Sequence, residues 1–312
     1  MDKISQYEIL LRALKSERFV SGSALAETLQ ISRTVVNRRL KELADMGLRV
    51  HAVTGKGYHL ADPFTLLDDP PADFPAQILW YRHLLTTSTN EDALALSRLQ
   101  SRPVLVATEY QTQGRGRRGR AWQSEFGKDL AFSLCLPLSA PETLRPYSLA
   151  AGVLLAEALR DFCGVPVSVK WPNDLQVNGA KLAGILTELH TMDERTWIVL
   201  GIGMNVNSQE LGKLDQAAVS LRDLLASPLD RSALLARLAK ALAAALGNDF
   251  DTDWHKQWPA LDALAGKPVQ IESGDRCQLG TAAGVAPDGA LLVDTEVGQK
   301  RITGGQVSVR AL

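Results

Sequence analysis

Over the first sixty residues the apolar positions fall at helical spacing in three short runs, then alternate through a hairpin. Ile9, Leu10, Leu11 and Leu14 give a first helix its inward stripe. Ser23 can cap a second helix, Ala24 to Leu29. Gln30-Ile31-Ser32 reads as a tight turn, with Ser32 capping a third helix that begins at Arg33 and stops near Gly47. Val36, Leu40 and Leu43 fall at i, i+4 and i+7 and face inward. Arg49 to Leu60 reads as a hairpin turning at Thr54-Gly55-Lys56-Gly57. This order predicts a winged helix-turn-helix over residues 1–62. Its exposed side carries Ser32, Arg33, Thr34, Asn37, Arg38 and Lys41, with Lys56 at the wing tip. Arg and Asn make two-pronged contacts to guanine and adenine edges, so these seven residues are candidate DNA contacts. A three-helix bundle with a solvated basic face shows much of the same pattern.

Residues 63–77 hold four prolines and three aspartates and read as a linker, although the Pro63–Leu67 stretch can dock on a neighbour. From 78 to 265 strands and helices mix. Ile78 to Leu84, Pro103 to Tyr110, Leu130 to Leu138, Val167 to Trp171, Asp174 to Val177, Lys181 to Leu189 and Thr196 to Val206 read as strands. Asn178-Gly179 joins two of them, a strong hairpin signal. Helices are expected from about 90 to 99, 146 to 162, 230 to 249 and 251 to 262. Hairpins with helices gathered among them predict an α+β, multidomain chain whose central mixed α/β domain has a largely antiparallel sheet. Residues 266–312 read as a small β-barrel of short strands, with turns at Gly274-Asp275 and Asp288-Gly289.

Composition is that of an ordinary globular protein, 46% hydrophobic and 22% charged. The net charge of −1 hides a polarity. Residues 1–60 carry ten Lys/Arg against six Asp/Glu, and residues 61–100 carry two Arg against six acids. A basic head on a neutral whole points to a local nucleic-acid surface. Cys135, Cys163 and Cys277 lie far apart and suggest neither a disulfide framework nor a zinc site. The N-terminus lacks an apolar signal region and no apolar run is long enough to span a bilayer, so the expectation is cytoplasmic with no membrane partner.

The chemistry gathers in four places. Gln111-Thr112-Gln113-Gly114-Arg115-Gly116-Arg117-Arg118-Gly119-Arg120-Ala121-Trp122 alternates glycines with arginine forks and ends on a stacking ring. Such a loop can close over a phosphate or carboxylate and is expected to be mobile until an anion arrives. A solvated basic loop, or one holding nucleic acid non-specifically, is the competing reading. Lys170-Trp171-Pro172-Asn173-Asp174 sets a cation, an amide and a carboxylate at a strand end. Asp174 and Asn173 can hold Mg²⁺, or can bond their own turn. Lys181 stands among small and apolar residues in Gly179-Ala180-Lys181-Leu182-Ala183-Gly184-Ile185-Leu186, either facing a transferring group or snorkelling at a strand edge. Gly201-Ile202-Gly203-Met204-Asn205 offers a close backbone approach but lacks the third glycine and following helix of a dinucleotide fingerprint. The five histidines have no metal-ligand spacing, and no Ser-His-Asp or Cys-His pattern appears. The chemistry therefore points to positioning and electrostatics.

These four motifs, in this order, resemble the biotin protein ligases, and the N-terminal module resembles the bifunctional type that also represses the biotin operon. The resemblance covers essentially the whole chain. It implies ATP-dependent activation of biotin to biotinyl-5′-AMP, Mg²⁺ at Asp174, and transfer to a lysine of the biotin carboxyl carrier protein. It also implies an adenylate-bound homodimer on operator DNA. By the family's pattern Ser88, Thr89, Asn90, Gln111, Gly114, Arg115, Gly116, Arg117, Lys181 and Gly184 serve biotin. Arg117, Arg118, Arg120, Trp122, Lys170, Asn173, Asp174, Lys181 and Asn205 serve ATP and the adenylate. Lys181, Arg115 and Arg117 are the expected catalytic group. The C-terminal domain, in the family, assists ATP and carrier binding, and a purely stabilising module has the same sequence features.

Overall fold

The computed structural model describes residues 2–138, 146–209, 211, 216–245, 253–273, 276–303 and 307–311. The expected turn at Gly274-Asp275 lies outside the described residues, as do 246–249 and 251–252 of the expected helices.

The N-terminal module is α1 (Lys3–Ala13), α2 (Gly22–Leu29), α3 (Arg33–Asp45), β1 (Val50–Val53) and β2 (Gly57–Leu60). Val36, Leu40 and Leu43 are buried as their spacing requires. The cap of α2 is Ser21 rather than Ser23: its hydroxyl accepts from Ala24 N at 3.1 Å, and the helix starts two residues earlier than expected. Gln30 takes the left-handed conformation, φ 54°, which turns the chain into α3. β1 and β2 pair antiparallel as the wing.

Next come β3 (Leu79–Thr86), α4 (Thr89–Ser97), β4 (Val104–Gln111), β5 (Leu130–Leu138), α5 (Tyr147–Cys163), β6 (Ser168–Lys170), β7 (Asp174–Val177), β8 (Ala180–Met192) and β9 (Arg195–Met204). α6 (Leu221–Leu225), α7 (Arg231–Ala243) and α8 (Trp254–Leu261) follow. α6 is a helix that pattern reading passes over; its Ser220/Asp223 capping box is the signal that marks it. The seven strands form one sheet in the order β3-β4-β5-β9-β8-β7-β6. β3 and β4 run parallel, and the other pairs are antiparallel. On one face, α5 packs against the sheet in a core that includes Leu134, Leu200, Ile202 and Ile185, and α7 and α8 pack against α5. On the other, Ala93 and Leu94 of α4 pack against Val104, Val106, Cys135, Trp197 and Val199. This second face, past the end of α4, is left for a ligand.

The C-terminal strands are β10 (Pro268–Ser273), β11 (Arg276–Val285), β12 (Leu291–Thr295), β13 (Gly298–Ile302) and β14 (Val307–Ala311). They form an antiparallel sheet in the order β13-β12-β11-β10-β14. Its edges, β13 and β14, do not pair with each other among the described residues, so the expected barrel is an open sheet. β13 exposes four of its five residues and has no apolar face to roll inward. The sheet is fastened to the central domain by Trp171, whose indole N–H donates to Gly289 O at 2.9 Å.

Part of the expected linker is docked. Phe64 stacks on Phe126 with ring centroids 5.9 Å apart, and Leu67 is buried. Leu67 N donates to Glu109 Oε1 at 2.6 Å and Asp68 N to Ser232 Oγ at 2.9 Å. Beneath this strap lies a buried ion pair, Arg231 Nη2 to Glu109 Oε2 at 2.7 Å. The N-terminal module packs on the same region: Glu8 pairs with Arg82 at 2.8 Å, and Phe126 N donates to Met46 O at 3.0 Å.

Candidate active site

The Gly/Arg loop leaves β4 and folds back on itself. Trp122 N donates to Gly114 O at 2.8 Å and Gly116 N to Arg120 O at 2.7 Å. A 3₁₀ turn, Arg117–Gly119, makes the tip, with Arg118 at φ 59° and Gly119 at φ 72°. Gly114 is needed because a Cβ there would come within 2.9 Å of Trp122 O. The loop roofs a cleft of about 1050 Å³ over the free sheet face.

Of the expected site residues, Ser88, Thr89, Asn90, Gln111, Arg115, Gly116, Arg117, Arg118, Arg120, Trp122, Lys170, Asn173, Asp174, Lys181, Gly184 and Asn205 all line this cleft. Gly114 lies behind the loop and shapes it rather than lining the cleft. Four sequence-distant motifs thus meet over one sheet, in which β9, β8 and β7 lie side by side and β5 separates them from β4.

Charge is distributed unevenly among them. Lys181 Nζ lies 2.8 Å from Asp174 Oδ1, a half-buried ion pair whose approach is not aligned as a hydrogen bond. Nζ also stands 5.7 Å from the Trp122 ring centroid, within cation–π reach. Arg117 donates to Asn173 Oδ1 at 3.2 Å, and Asn173 Nδ2 donates to Ile185 O at 2.9 Å. Burial lowers the Arg117 pKa, while the Asp174 carboxylate opposes that shift. Arg115, at the rim of the cleft it lines, pairs with Glu91 at 2.8 Å, both side chains about half exposed. Asn205 Nδ2 lies 3.4 Å from Lys181 O and 3.3 Å from Val219 O, bracing β8 against the following segment.

Two glycines admit neighbours that no side chain would. A Cβ at Gly203 would sit 2.3 Å from the Trp122 ring, and one at Gly201 would sit 2.1 Å from Asn90 Oδ1. Gly203→Ala is therefore expected to push the Trp122 ring off the sheet. Overpacking of this kind costs about 1–3 kcal/mol. The chain should lose stability on that scale, read by denaturant unfolding. An unchanged midpoint would mean that the ring is not seated on Gly203.

Sequence reasoning missed Asp129, Ser133 and Glu188. Asp129 lies at the entry to β5 and is buried. It accepts from Val206 N at 2.9 Å, Ser208 N at 3.4 Å, Ser208 Oγ at 2.5 Å and Glu125 N at 3.4 Å. Burial raises its pKa, against the pull of those donors. It ties the chain beyond Trp122 to the chain beyond Asn205. No local signal announces such a residue, because its partners other than Glu125 are distant in sequence.

In the N-terminal module Arg33, Thr34, Asn37, Arg38, Lys41 and Lys56 are exposed, as expected. Ser32 caps α3, accepting from Val35 N at 3.3 Å. Asn37 Oδ1 accepts the Tyr58 hydroxyl, which ties the wing to α3 and adds Tyr58 to that face.

Three family models match the chain. Residues 81–205 match the biotin/lipoate A/B protein ligase family, 6–59 an HTH domain, and 265–310 the biotin protein ligase C terminal domain. The bifunctional ligase/repressor BirA of Escherichia coli is 35% identical over 97% of this chain and 96% of its own length. That of Bacillus subtilis is 30% identical over 93% and 94%. The chain belongs to the bifunctional biotin ligase/repressor family. Among solved structures, the biotin protein ligase from Aquifex aeolicus in complex with biotin and ATP superposes with a TM-score of 0.65 at 27% identity. It covers 76% of this chain and 100% of that one. The family's ligase and HTH modules are thus both present. Among the described residues no helix is long and apolar enough to cross a membrane.

Proposed function

We propose that this chain joins biotin to ATP, giving biotinyl-5′-AMP and pyrophosphate, and then transfers the biotinyl group to a specific lysine of the biotin carboxyl carrier protein. We further propose that the adenylate-bound chain dimerises and represses the biotin operon, and that it works in the cytoplasm. The observation that carries the reading is the convergence of the Gly/Arg loop, Asp174, Lys181 and the Trp122 ring on one cleft.

In the first step a biotin carboxylate oxygen attacks the α-phosphorus. One P–O bond forms, the bond to the β-phosphate breaks, and pyrophosphate leaves with the electron pair. Two anions must be brought together, so cations must screen them. Lys181, held at the centre of the cleft by Asp174, supplies the charge where it develops on the α-phosphate. Arg117, half-buried beside Asn173, and Arg115 cover the biotin side, with Ser88, Thr89, Asn90, Gln111, Gly116 and Gly184 around it. Arg118, Arg120, Trp122, Lys170 and Asn205 serve the nucleotide. In the second step the carrier lysine's amine attacks the acyl carbon, AMP departs with the electron pair, and the amine loses its proton.

Mg²⁺ fits this donor set in one way. Asp174 Oδ1 is buried and accepts no hydrogen bond among the described residues, with Lys181 Nζ 2.8 Å away. Among the described residues no cluster of three His, Cys, Asp or Glu exists. A single carboxylate suits an ion that takes its remaining ligands from phosphates and water. When bound, it would neutralise phosphate charge.

Incubating the protein with ATP and biotin, lipoate or octanoate tests the substrate: biotin alone should support pyrophosphate exchange, and exchange with lipoate or octanoate instead would overturn the assignment. Arg38→Ala tests the other module. Loss of one base-edge contact costs about 1–3 kcal/mol, so operator affinity should fall roughly ten- to hundredfold with ligation intact. Equal loss of both activities would mean the two functions do not divide between these modules.

A further inference from the structure

Two stretches of chain flank the place where the Trp122 ring lies over Gly203. One runs on from the ring through Gln123, Ser124 and Glu125, all of which line the cleft. The other follows β9 from Asn205 to Ser208 and lines it too. One buried carboxylate joins them. Asp129 Oδ1 accepts from Val206 N at 2.9 Å and Ser208 N at 3.4 Å. Its Oδ2 accepts from Ser208 Oγ at 2.5 Å and Glu125 N at 3.4 Å.

These donors divide unequally. Three belong to Val206 and Ser208, in a stretch that is pinned elsewhere as well. There Asn205 N donates to Leu182 O at 2.9 Å, Asn207 N to Lys128 O at 3.0 Å, and Arg222 N to Val206 O at 2.8 Å. One donor, Glu125 N–H, belongs to the stretch that carries Trp122. Oδ1 therefore serves one stretch alone, and Oδ2 serves both. Three of the four donors are backbone N–H groups, which cannot reverse. Both oxygens must accept, as a carboxylate allows and an amide does not. The biotin side is built separately. Ser133, further along β5, donates to Asn90 Oδ1 at 2.6 Å, and Asn90 Nδ2 donates to Glu188 Oε2 on β8 at 2.6 Å. None of the four donors to Asp129 belongs to that side.

We propose that Asp129 is a positioning residue for the nucleotide half of the cleft. It ties the stretch that carries Trp122 to the stretch that carries Asn205, so the ring and the amide hold their places before a nucleotide arrives. It need touch no ligand, because both oxygens are committed within the protein. Order supplied in advance is order that binding does not have to create. This inference rests on the ligase reading given above, in which Trp122 and Asn205 serve the nucleotide.

Asp129→Asn tests it with little change of shape. The amide oxygen can stay on Val206 N and Ser208 N. The NH₂ then replaces Oδ2, and Ser208 Oγ can turn to accept from it, but Glu125 N–H meets a donor. The flipped amide sets its NH₂ against two N–H groups instead of one. The KM for ATP should rise roughly tenfold, the size expected when a buried N–H loses a charged acceptor. The KM for biotin should stay within about twofold of its starting value, both read by ATP–pyrophosphate exchange. An unmoved KM for ATP, equal rises in both KM values, or a fall in kcat alone would overturn the proposal. Should D129N fail to fold, amide hydrogen exchange of the unsubstituted protein decides. Adding biotin and ATP should slow exchange over 122–126 and 205–208 together, and slowing of one stretch without the other overturns the proposal. If the unsubstituted protein shows no biotin-dependent pyrophosphate exchange, the ligase reading itself falls. If it shows that exchange and D129N keeps its KM for ATP, the positioning role alone falls.

Discussion

Lys181→Ala should lower kcat/KM for adenylate formation by roughly 10²–10³, the loss seen when one preorganised charge-stabilising group is removed. Lys181 is half-buried, fixed at 2.8 Å by Asp174 and ranged over the Trp122 ring at 5.7 Å. Its ammonium is already in place before a ligand arrives, so no reorganisation is needed when charge grows on the α-phosphate. Deleting it removes that screening and leaves the Asp174 carboxylate adding repulsion. Lys181→Arg should not restore the rate. A Cβ at Gly184 would stand 3.3 Å from Nζ, which shows how closely β8 confines the ammonium, and a planar fork is wider than a point charge. ATP–pyrophosphate exchange with saturating biotin reads the effect. A fall of less than about fivefold would place the chemistry elsewhere in the cleft.

Arg231→Met should destabilise the chain by about 3–5 kcal/mol, as expected when one partner of a buried ion pair is lost. Glu109 and Arg231 are both almost fully buried, 2.7 Å apart. Arg231 also donates to Thr65 O at 2.7 Å and Asp129 O at 3.2 Å, so it joins the docked strap, β4 and the entry to β5. Removing it leaves the Glu109 carboxylate in an apolar setting with the Leu67 backbone N–H as the donor to its side chain. R231M/E109Q, which removes the orphaned charge, should recover much of the loss, although the Thr65 and Asp129 carbonyls stay unmet. Denaturant unfolding of the full chain distinguishes these. Equal destabilisation of single and double variants would mean that packing rather than charge dominates there.

How far the sequence carries the fold depends on how local each signal is. Val36, Leu40 and Leu43, the Asn178-Gly179 turn and the β5 strand were readable because each is determined by a few neighbours. The Gly/Arg loop, Asp174, Lys181 and Asn205 were readable as separate motifs, and the register Gly184↔Gly203 brings two of their strands together. Asp129, Ser133 and Glu188 were not, because their partners, Glu125 apart, lie 43 to 98 residues away. That the Pro63–Leu67 stretch can dock was readable from its apolar side chains, but its partners, Phe126 and Glu109, were not, being far along the chain. The C-terminal strands were each visible, but closure depends on what lies opposite β13, and its exposed face leaves the sheet open.

The most direct measurement runs two assays on one preparation: transfer of biotin to carrier protein, and a gel shift on biotin-operon DNA with and without biotin plus ATP. The account predicts carrier biotinylation and a shift that strengthens when adenylate can form, because a ligand that favours the dimer shifts the population toward it. Absence of biotinylation, or a shift indifferent to biotin and ATP, would contradict it.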